Sequence, residues 1–319
     1  MKRIVILTTG GTIAMRAFPE AGGAIPALGG ADFTSALPQT LAELRTEEFS
    51  NLPSAHFGID QLWELSRRLN ALVADDQVDG VVVTHGTDTL EESAYLSDLT
   101  IDSPKPVVFT GAMRTASDPG YEGLANLSAS VRVAASDGAR DLGTMVVFND
   151  EIYSARDVTK GHPTALETFR STEFGPLGRV DYAGVLIAYK PLLREFILVT
   201  HLDPNVHLLK AVAGGGTQLL DYLVELPAHG IVLEALGGGR VPPAWLPSID
   251  RAVTSRIAVV ITSRAGSGRT VDRYGYEGSH HDLVRLGCWF ANGLDGIKAR
   301  IKLMAALGTS DPAGYFTHA

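Results

Sequence analysis

Ile4-Val5-Ile6-Leu7-Thr8-Thr9-Gly10-Gly11-Thr12-Ile13 is the stretch that decides the fold. Its continuous apolar run reads as a strand buried on both faces, the kind that occupies the middle of a parallel sheet. The run breaks at Gly10-Gly11, where residues without Cβ permit a sharp turn and a close approach of backbone to ligand. Thr12 then stands just beyond the strand's carboxyl end, the edge at which open α/β sheets bind ligands. On these residues alone, a tight turn followed by an ordinary threonine is an equal reading.

The same design recurs downstream. Val81-Val82-Val83-Thr84-His85-Gly86-Thr87-Asp88-Thr89-Leu90-Glu91-Glu92 is a short apolar strand entering a polar, glycine-containing turn and then a helical pattern. Val107-Val108-Phe109-Thr110-Gly111-Ala112-Met113-Arg114 repeats it. Strands at 80–84, 106–110 and 144–148 alternate with helices at 90–99 and 124–135, which predicts a doubly wound, mostly parallel sheet of flavodoxin-like type. A further helix opens at Gly58-Ile59-Asp60 and carries Leu62, Leu65, Leu69 and Leu72 on one face. Just before it, the stretch ending at Pro53-Ser54-Ala55-His56 has the character of a strand. Residues 14–32 carry little periodicity and are rich in Gly and Pro, as expected of a loop that closes over a site. Residues 149–184 mix short extended pieces with loops.

Around Pro191–Pro204 the alternation pauses, placing an N-terminal α/β domain at 1–190, a linker at 191–204 and a smaller α/β domain at 205–319. The second series reads as strand 206–211, helix 218–226, strand 231–236, helix 244–254, strand 257–262, polar loop 263–272 and helix 296–307. Its runs Gly214-Gly215-Gly216 and Gly237-Gly238-Gly239 lack the lysine and hydroxyl of a phosphate loop and the spacing of a dinucleotide fingerprint. His280-His281 is adjacent, so the two side chains of a regular element diverge and a metal site is not expected.

The 319 residues are 45% apolar and 20% charged, with a formal net charge of -9. That acidic balance, with no run of Lys or Arg, argues against a nucleic-acid partner. No apolar run reaches the ~18–20 residues of a membrane span, and no leader pattern precedes the first strand, so the cytoplasm is the expected compartment. The single Cys288 excludes an intrachain disulfide and lies in an apolar context, as a small core residue does.

Taken together, Thr8-Thr9-Gly10-Gly11-Thr12-Ile13, Thr84-His85-Gly86-Thr87-Asp88-Thr89-Leu90-Glu91-Glu92 and Thr110-Gly111-Ala112-Met113-Arg114 resemble the bacterial L-asparaginase family, in that family's order. Arg156-Asp157-Val158-Thr159-Lys160, Phe174-Gly175-Pro176-Leu177-Gly178, Tyr274-Gly275-Tyr276-Glu277-Gly278 and Lys298-Ala299-Arg300-Ile301-Lys302 extend the resemblance over nearly the whole chain. It implies a hydrolase of linear amides, L-asparagine first, in which Thr12 attacks the amide carbon and water later hydrolyses the acyl-enzyme. Thr87, Asp88 and Lys160 resemble the family's second catalytic set, a hydrogen-bonded relay. A hydroxyl needs such a neighbouring base before it attacks, and a partly desolvated lysine is one that serves. The resemblance also implies a substrate site formed by Gly11, Ser54, Ala55, Gly86, Asp88, Ala112 and Glu277. In it the Gly86-Thr87 turn holds the oxyanion, Asp88 binds the α-ammonium and Ser54 the α-carboxylate. It implies no metal or organic cofactor, and a homotetramer built as a dimer of dimers.

Three departures accompany the resemblance. No tyrosine occurs between Met1 and Tyr95, where the family has one in the loop after the nucleophile. Ser54-Ala55-His56 stands where the family commonly has Ser-Gln-Asp. No asparagine occurs among Gly237 to Arg240. The rival readings are a hydrolase of another amide, imide or lactam, a catalytically weak ligand-binding homologue, and the glutamine-hydrolysing subunit of a tRNA amidotransferase. The last would carry an added RNA-contacting region, for which an acidic chain of this length shows no sign.

Overall fold

The computed structural model describes every residue except Pro19, Ala21, Asp272, Asn292, His318 and Ala319. It forms two units, Met1–Phe196 and Ile197–Ala319.

The opening apolar run is β1 (Arg3–Gly10), buried from Ile4 onward. A short 3₁₀ turn at Thr12–Ala14 leads into β2 (Met15–Phe18) and β3 (Gly23–Pro26), an antiparallel hairpin, and then α1 (Gly30–Ala36). The expected loop over 14–32 is therefore structured for most of its length. Both hairpin strands are largely exposed, so neither needs the apolar alternation that reveals a strand in sequence. The chain continues through β4 (Glu43–Leu52), α2 (Ile59–Ala74), β5 (Gly80–Thr84), α3 (Leu90–Thr100), β6 (Val107–Thr110), α4 (Gly123–Ala134) and β7 (Thr144–Phe148). Short antiparallel strands complete the unit: β8 (Glu151–Ser154), β9 (Thr159–Lys160), β10 (Phe169–Arg170), β11 (Gly178–Asp181) and β12 (Gly184–Ile187).

The main sheet has eight strands in the order β12-β11-β8-β7-β6-β5-β1-β4. From β4 to β7 every pairing is parallel, and β8, β11 and β12 are added antiparallel. β5, β6 and β7 are buried throughout, as the middle strands of a sheet covered on both faces must be. The edge strand β4 is half-exposed and charged, and Arg68 grips Glu47 with two bonds of 2.5 and 2.6 Å. Chain order reverses at β1, which has β4 on one side and β5 on the other. The crevice at such a reversal is where doubly wound sheets take their ligands. The turns carrying Thr12 and Thr87 leave β1 and β5 there.

The second unit comprises β13 (Val206–Lys210), α5 (Gln218–Glu225), β14 (Gly230–Ala235), α6 (Leu246–Thr254), β15 (Ala258–Ser263), α7 (His280–Arg285), β16 (Trp289–Phe290) and α8 (Gly296–Ala306). Its sheet runs β13-β14-β15-β16, parallel throughout. The helix expected from 244 begins at Leu246 after a 3₁₀ turn at Pro243–Trp245, and Trp245 and Ile249 are buried in the core. α7 and β16 escape sequence reading because neither is long enough to establish a period. Asp272, the last residue of the expected polar loop, lies outside the described residues. Cys288 is free and buried. Among the described residues no helix is long and apolar enough to cross a membrane.

Candidate active site

The site starts from glycine geometry. Gly10 and Gly11 take φ of 100° and 82°, which an L side chain rarely adopts. A Cβ on Gly11 would stand 2.3 Å from the Cα of Gly86, and one on Gly86 would stand 2.6 Å from the Cβ and Oγ of Ser54. The turns after β1, β5 and β4 therefore stack backbone against backbone. Hydrogen bonds lock the stack: Gly11 N–H donates to the Leu52 carbonyl (3.2 Å), Asp88 N–H to Ser54 Oγ (3.2 Å) and Thr89 Oγ1 to the Ser54 carbonyl (3.0 Å).

Above this stack lies a cleft of about 170 Å³ lined by Gly11, Thr12, Met15, Pro53, Ser54, Gly86, Thr87, Asp88, Met113, Lys160 and Pro163. Lys160 arrives from β9, whose partner residue Phe169 is buried and packs on Phe148 with ring centroids 4.7 Å apart. Its Nζ donates to Thr87 Oγ1 at 3.0 Å and to Asp88 Oδ1 at 2.6 Å. The Lys160 side chain is 13% exposed and Asp88 67%, so the lysine is inside the cleft wall and the carboxylate faces its mouth. The Lys160 backbone N–H donates to Glu91 at the start of α3 (3.3 Å). Thr12 is half-buried, and among the described residues neither its hydroxyl nor the Thr87 N–H is taken up by a hydrogen bond.

Behind the cleft, His85 is fully buried. Its Nδ1 pairs with the Gly86 carbonyl (2.8 Å) and its Nε2 with Ser93 Oγ (2.9 Å). Burial pulls this imidazole down to about 4, so it stays neutral and serves as one member of a hydrogen-bonded brace. On the other side, Glu122 accepts from the backbone N–H of Met113 and, at 3.3 Å, of Arg114, fixing the turn after β6.

Thr12, Thr87, Asp88, Lys160, Gly11, Ser54 and Gly86 thus meet in one cleft, while Ala55, Ala112 and Glu277 do not line it. Ala55 is exposed on the 3₁₀ turn of Ser54–His56. The Ala112 side chain is in the hydrophobic core, leaving only its backbone for a ligand. Glu277 is an exposed residue of the second unit, in the loop before α7. Met15, Pro53, Met113 and Pro163 also line the cleft, beyond the residues the sequence points to. Met113 stood within the quoted turn after β6, but no pattern distinguishes Met15 or Pro163. Among the described residues no cluster of His, Cys, Asp and Glu could hold a metal ion.

A hydroxyl at a strand end, facing a lysine–threonine–carboxylate set in a small polar cleft, is a constellation for acyl transfer. Comparison with known proteins bears on the same chemistry. The family model for the N-terminal domain of asparaginase matches residues 3–193, and that for the glutaminase/asparaginase C-terminal domain matches 205–314. The L-asparaginase of Bacillus licheniformis is 36% identical over 310 residues, covering 97% of this chain and 96% of that one. L-asparaginase 2 of Bacillus subtilis (strain 168) is 37% identical over 325 residues, with 98% and 84% covered. L-asparaginase 2 of Escherichia coli (strain K12) is 32% identical over 325 residues, with 98% and 91% covered. The chain belongs to the asparaginase family, and it is an amidohydrolase of the L-asparaginase type.

Proposed function

We propose that the enzyme hydrolyses L-asparagine to L-aspartate and ammonia, with Thr12 as nucleophile. The observation that carries this reading is the bonding of Lys160 to both Thr87 and Asp88 in the cleft that Thr12 lines. Thr12 Oγ1 attacks the side-chain amide carbon, and its proton passes to the Lys160–Thr87–Asp88 set. The tetrahedral oxyanion is met by the Thr87 N–H of the Gly86-Thr87 turn, a donor fixed before the charge develops. As the C–N bond breaks, the set returns the proton to the departing ammonia. Water then attacks the Thr12 ester and releases the carboxylate. Ser54 and Asp88 take the α-carboxylate and α-ammonium, and Gly11 and Gly86 supply close backbone walls. Ammonia release from L-asparagine by the intact protein, absent from Thr12→Ala with the fold retained, tests this; activity surviving in that variant transfers the attack to another group.

A second reading is favoured by the apolar Met15, Pro53, Met113 and Pro163 in the lining and by the absence of a cleft-lining side chain at Ala55. A head group with fewer polar partners is less strictly required. The enzyme then accepts amides whose α-amino group is blocked or missing. Comparing kcat/KM for L-asparagine, N-acyl-asparagine and succinamate decides. A preference of ~10⁴-fold or more for free L-asparagine rules the second reading out.

We place the enzyme in the cytoplasm as a homotetramer on the family resemblance. Sedimentation showing only a 33.9 kDa species overturns the tetramer.

A further inference from the structure

The loop between β6 and α4 reaches across to the nucleophile's own segment. Tyr121 Oη donates to the Ile13 carbonyl at 2.8 Å, Ala116 N–H to the Met15 carbonyl at 2.9 Å, and Ala17 N–H to Ser117 Oγ at 3.0 Å. Of these, only the Tyr121 bond falls on the 3₁₀ turn that begins with Thr12. The ring also has a seat made for it: a Cβ on Gly123 would lie 2.3 Å from Tyr121 Oη and 2.4 Å from Cε2 and Cζ. Burial, with the Glu122 charge adding to it, pushes this phenol up to about 12, so it remains a donor throughout the working range of pH.

We infer that Tyr121 is a positioning residue for the reaction, holding the Ile13 carbonyl and thereby the Thr12 turn in its attacking geometry before substrate arrives. The inference rests on the reading of Thr12 as nucleophile. It supplies a tyrosine to that segment from a distant loop, in a chain with no tyrosine among its first 94 residues. Its contact is with the turn's backbone, so its effect is on where Thr12 sits and not on proton transfer. A turn held in advance spares the transition state an ordering cost that loosely held groups would meet there. Substrate binding, which uses other walls of the cleft, is indifferent to it.

Tyr121→Phe removes the Oη and keeps the ring, whereas Gly123→Ala keeps the Oη and displaces the ring. Both variants are compared with wild type in steady-state ammonia release and in trypsin cleavage after Arg16, an exposed residue of β2, followed by mass under denaturing conditions. One lost hydrogen bond in the transition state lowers kcat by about tenfold with KM changed less than about twofold. The same loss raises the rate of the Arg16 cut by a similar factor, about tenfold. Equal kcat in wild type and Tyr121→Phe overturns the inference, as does a rise in KM with kcat unchanged. If Tyr121→Phe fails to fold, Gly123→Ala decides alone: unchanged kcat there overturns it. Thr12→Ala assayed alongside separates the two readings, because activity surviving in that variant sinks the nucleophile while the Arg16 cut still reports on the hold Tyr121 exerts.

Discussion

The parallel part of the first unit's sheet and the parallel sheet of the second unit are built alike and differ in what their carboxyl edges do. β5 in the first unit and β14 and β15 in the second are buried along their whole lengths, and in both units strands end at glycine turns. In the second unit the polar groups at that edge are spent within the fold. Thr262 Oγ1 donates to the Leu294 carbonyl, Ser263 Oγ to the Gly237 carbonyl (2.6 Å), and Glu234 pairs with Lys210 (2.8 Å). In the first unit the Thr12 hydroxyl takes up no hydrogen bond among the described residues, while Lys160 bonds both Thr87 and Asp88 at the same cleft. A Gly-ended strand with a hydroxyl beyond it is therefore not yet a site. What distinguishes a site is polar capacity left facing a cavity.

The widest break in that comparison comes from exchanging the two threonines' fates. Thr12→Ala lowers turnover by at least about 10³-fold with little loss of stability, since it removes an interaction used in the transition state. Thr262→Val leaves turnover alone and costs about 1–3 kcal/mol of stability, because the Leu294 carbonyl loses its buried donor. Ammonia assays beside denaturant melts of both variants check the pair; a stability loss in Thr12→Ala matching that of Thr262→Val erases the distinction.

Next in size is the lysine. Lys160→Met lowers kcat by about 10²–10⁴-fold, the range a positioned acid–base group supplies. Its melting temperature stays near wild type. An unchanged rate would retire the relay and leave Thr12 working alone.

The glycine turns sharpen the contrast in stability alone. Gly214 has φ of 71° with open space around its Cβ position, so Gly214→Ala meets only the left-handed backbone cost of about 1–2 kcal/mol. Gly11→Ala adds a backbone collision with Gly86, and its loss exceeds about 3 kcal/mol. Similar melts for the two variants would mean that the stacked turns yield easily.

A pH slope comes from two buried groups of the first unit, and in the wild type it largely cancels. Burial lowers His85 from 6.5 to about 4, so between those values the unfolded chain binds more protons and stability rises with pH. Asp98 is raised from 3.8 to about 6, first by burial, against the opposing Thr144 N–H bond. Between those values the folded chain binds more protons, and stability falls as pH rises. The two slopes oppose each other from about pH 4 to 6. Asp98→Asn removes the falling one, so stability should climb with pH by up to about 1.4 kcal/mol per unit. A flat profile in that variant would show that His85 does not resist protonation.

Much of this was legible in local pattern. Ile4–Leu7, Val81–Val83 and Val107–Phe109 announce buried strands because a strand covered on both faces must be apolar without interruption. Leu62, Leu65, Leu69 and Leu72 announce α2 because one face of it is buried. The hairpin of β2 and β3 gave no such signal, being exposed, and α7 was too short to show one. At the site, Thr12, Thr87 and Asp88 stood beside their glycine turns. Lys160 did not: nothing local marks it, and only the resemblance of Arg156–Lys160 to a known motif pointed to it. Met15 and Pro163 had neither.

By itself the sequence determined the alternating strands and helices, the glycine breaks and the hydroxyl and carboxylate set at the strand ends. Each of these is a short-range property, fixed by which neighbours are apolar and where a Cβ is missing. Only the tertiary structure decided that chain order reverses at β1, so that the turns of Thr12 and Thr87 share a crevice. It also decided that Lys160 bonds Thr87 and Asp88 across 73 and 72 residues, and that Tyr121 grips the nucleophile turn across 108. Hydrogen bonds between residues so far apart leave no periodicity behind. Whether a polar group is spent or kept for chemistry is therefore settled only when the strands are laid side by side.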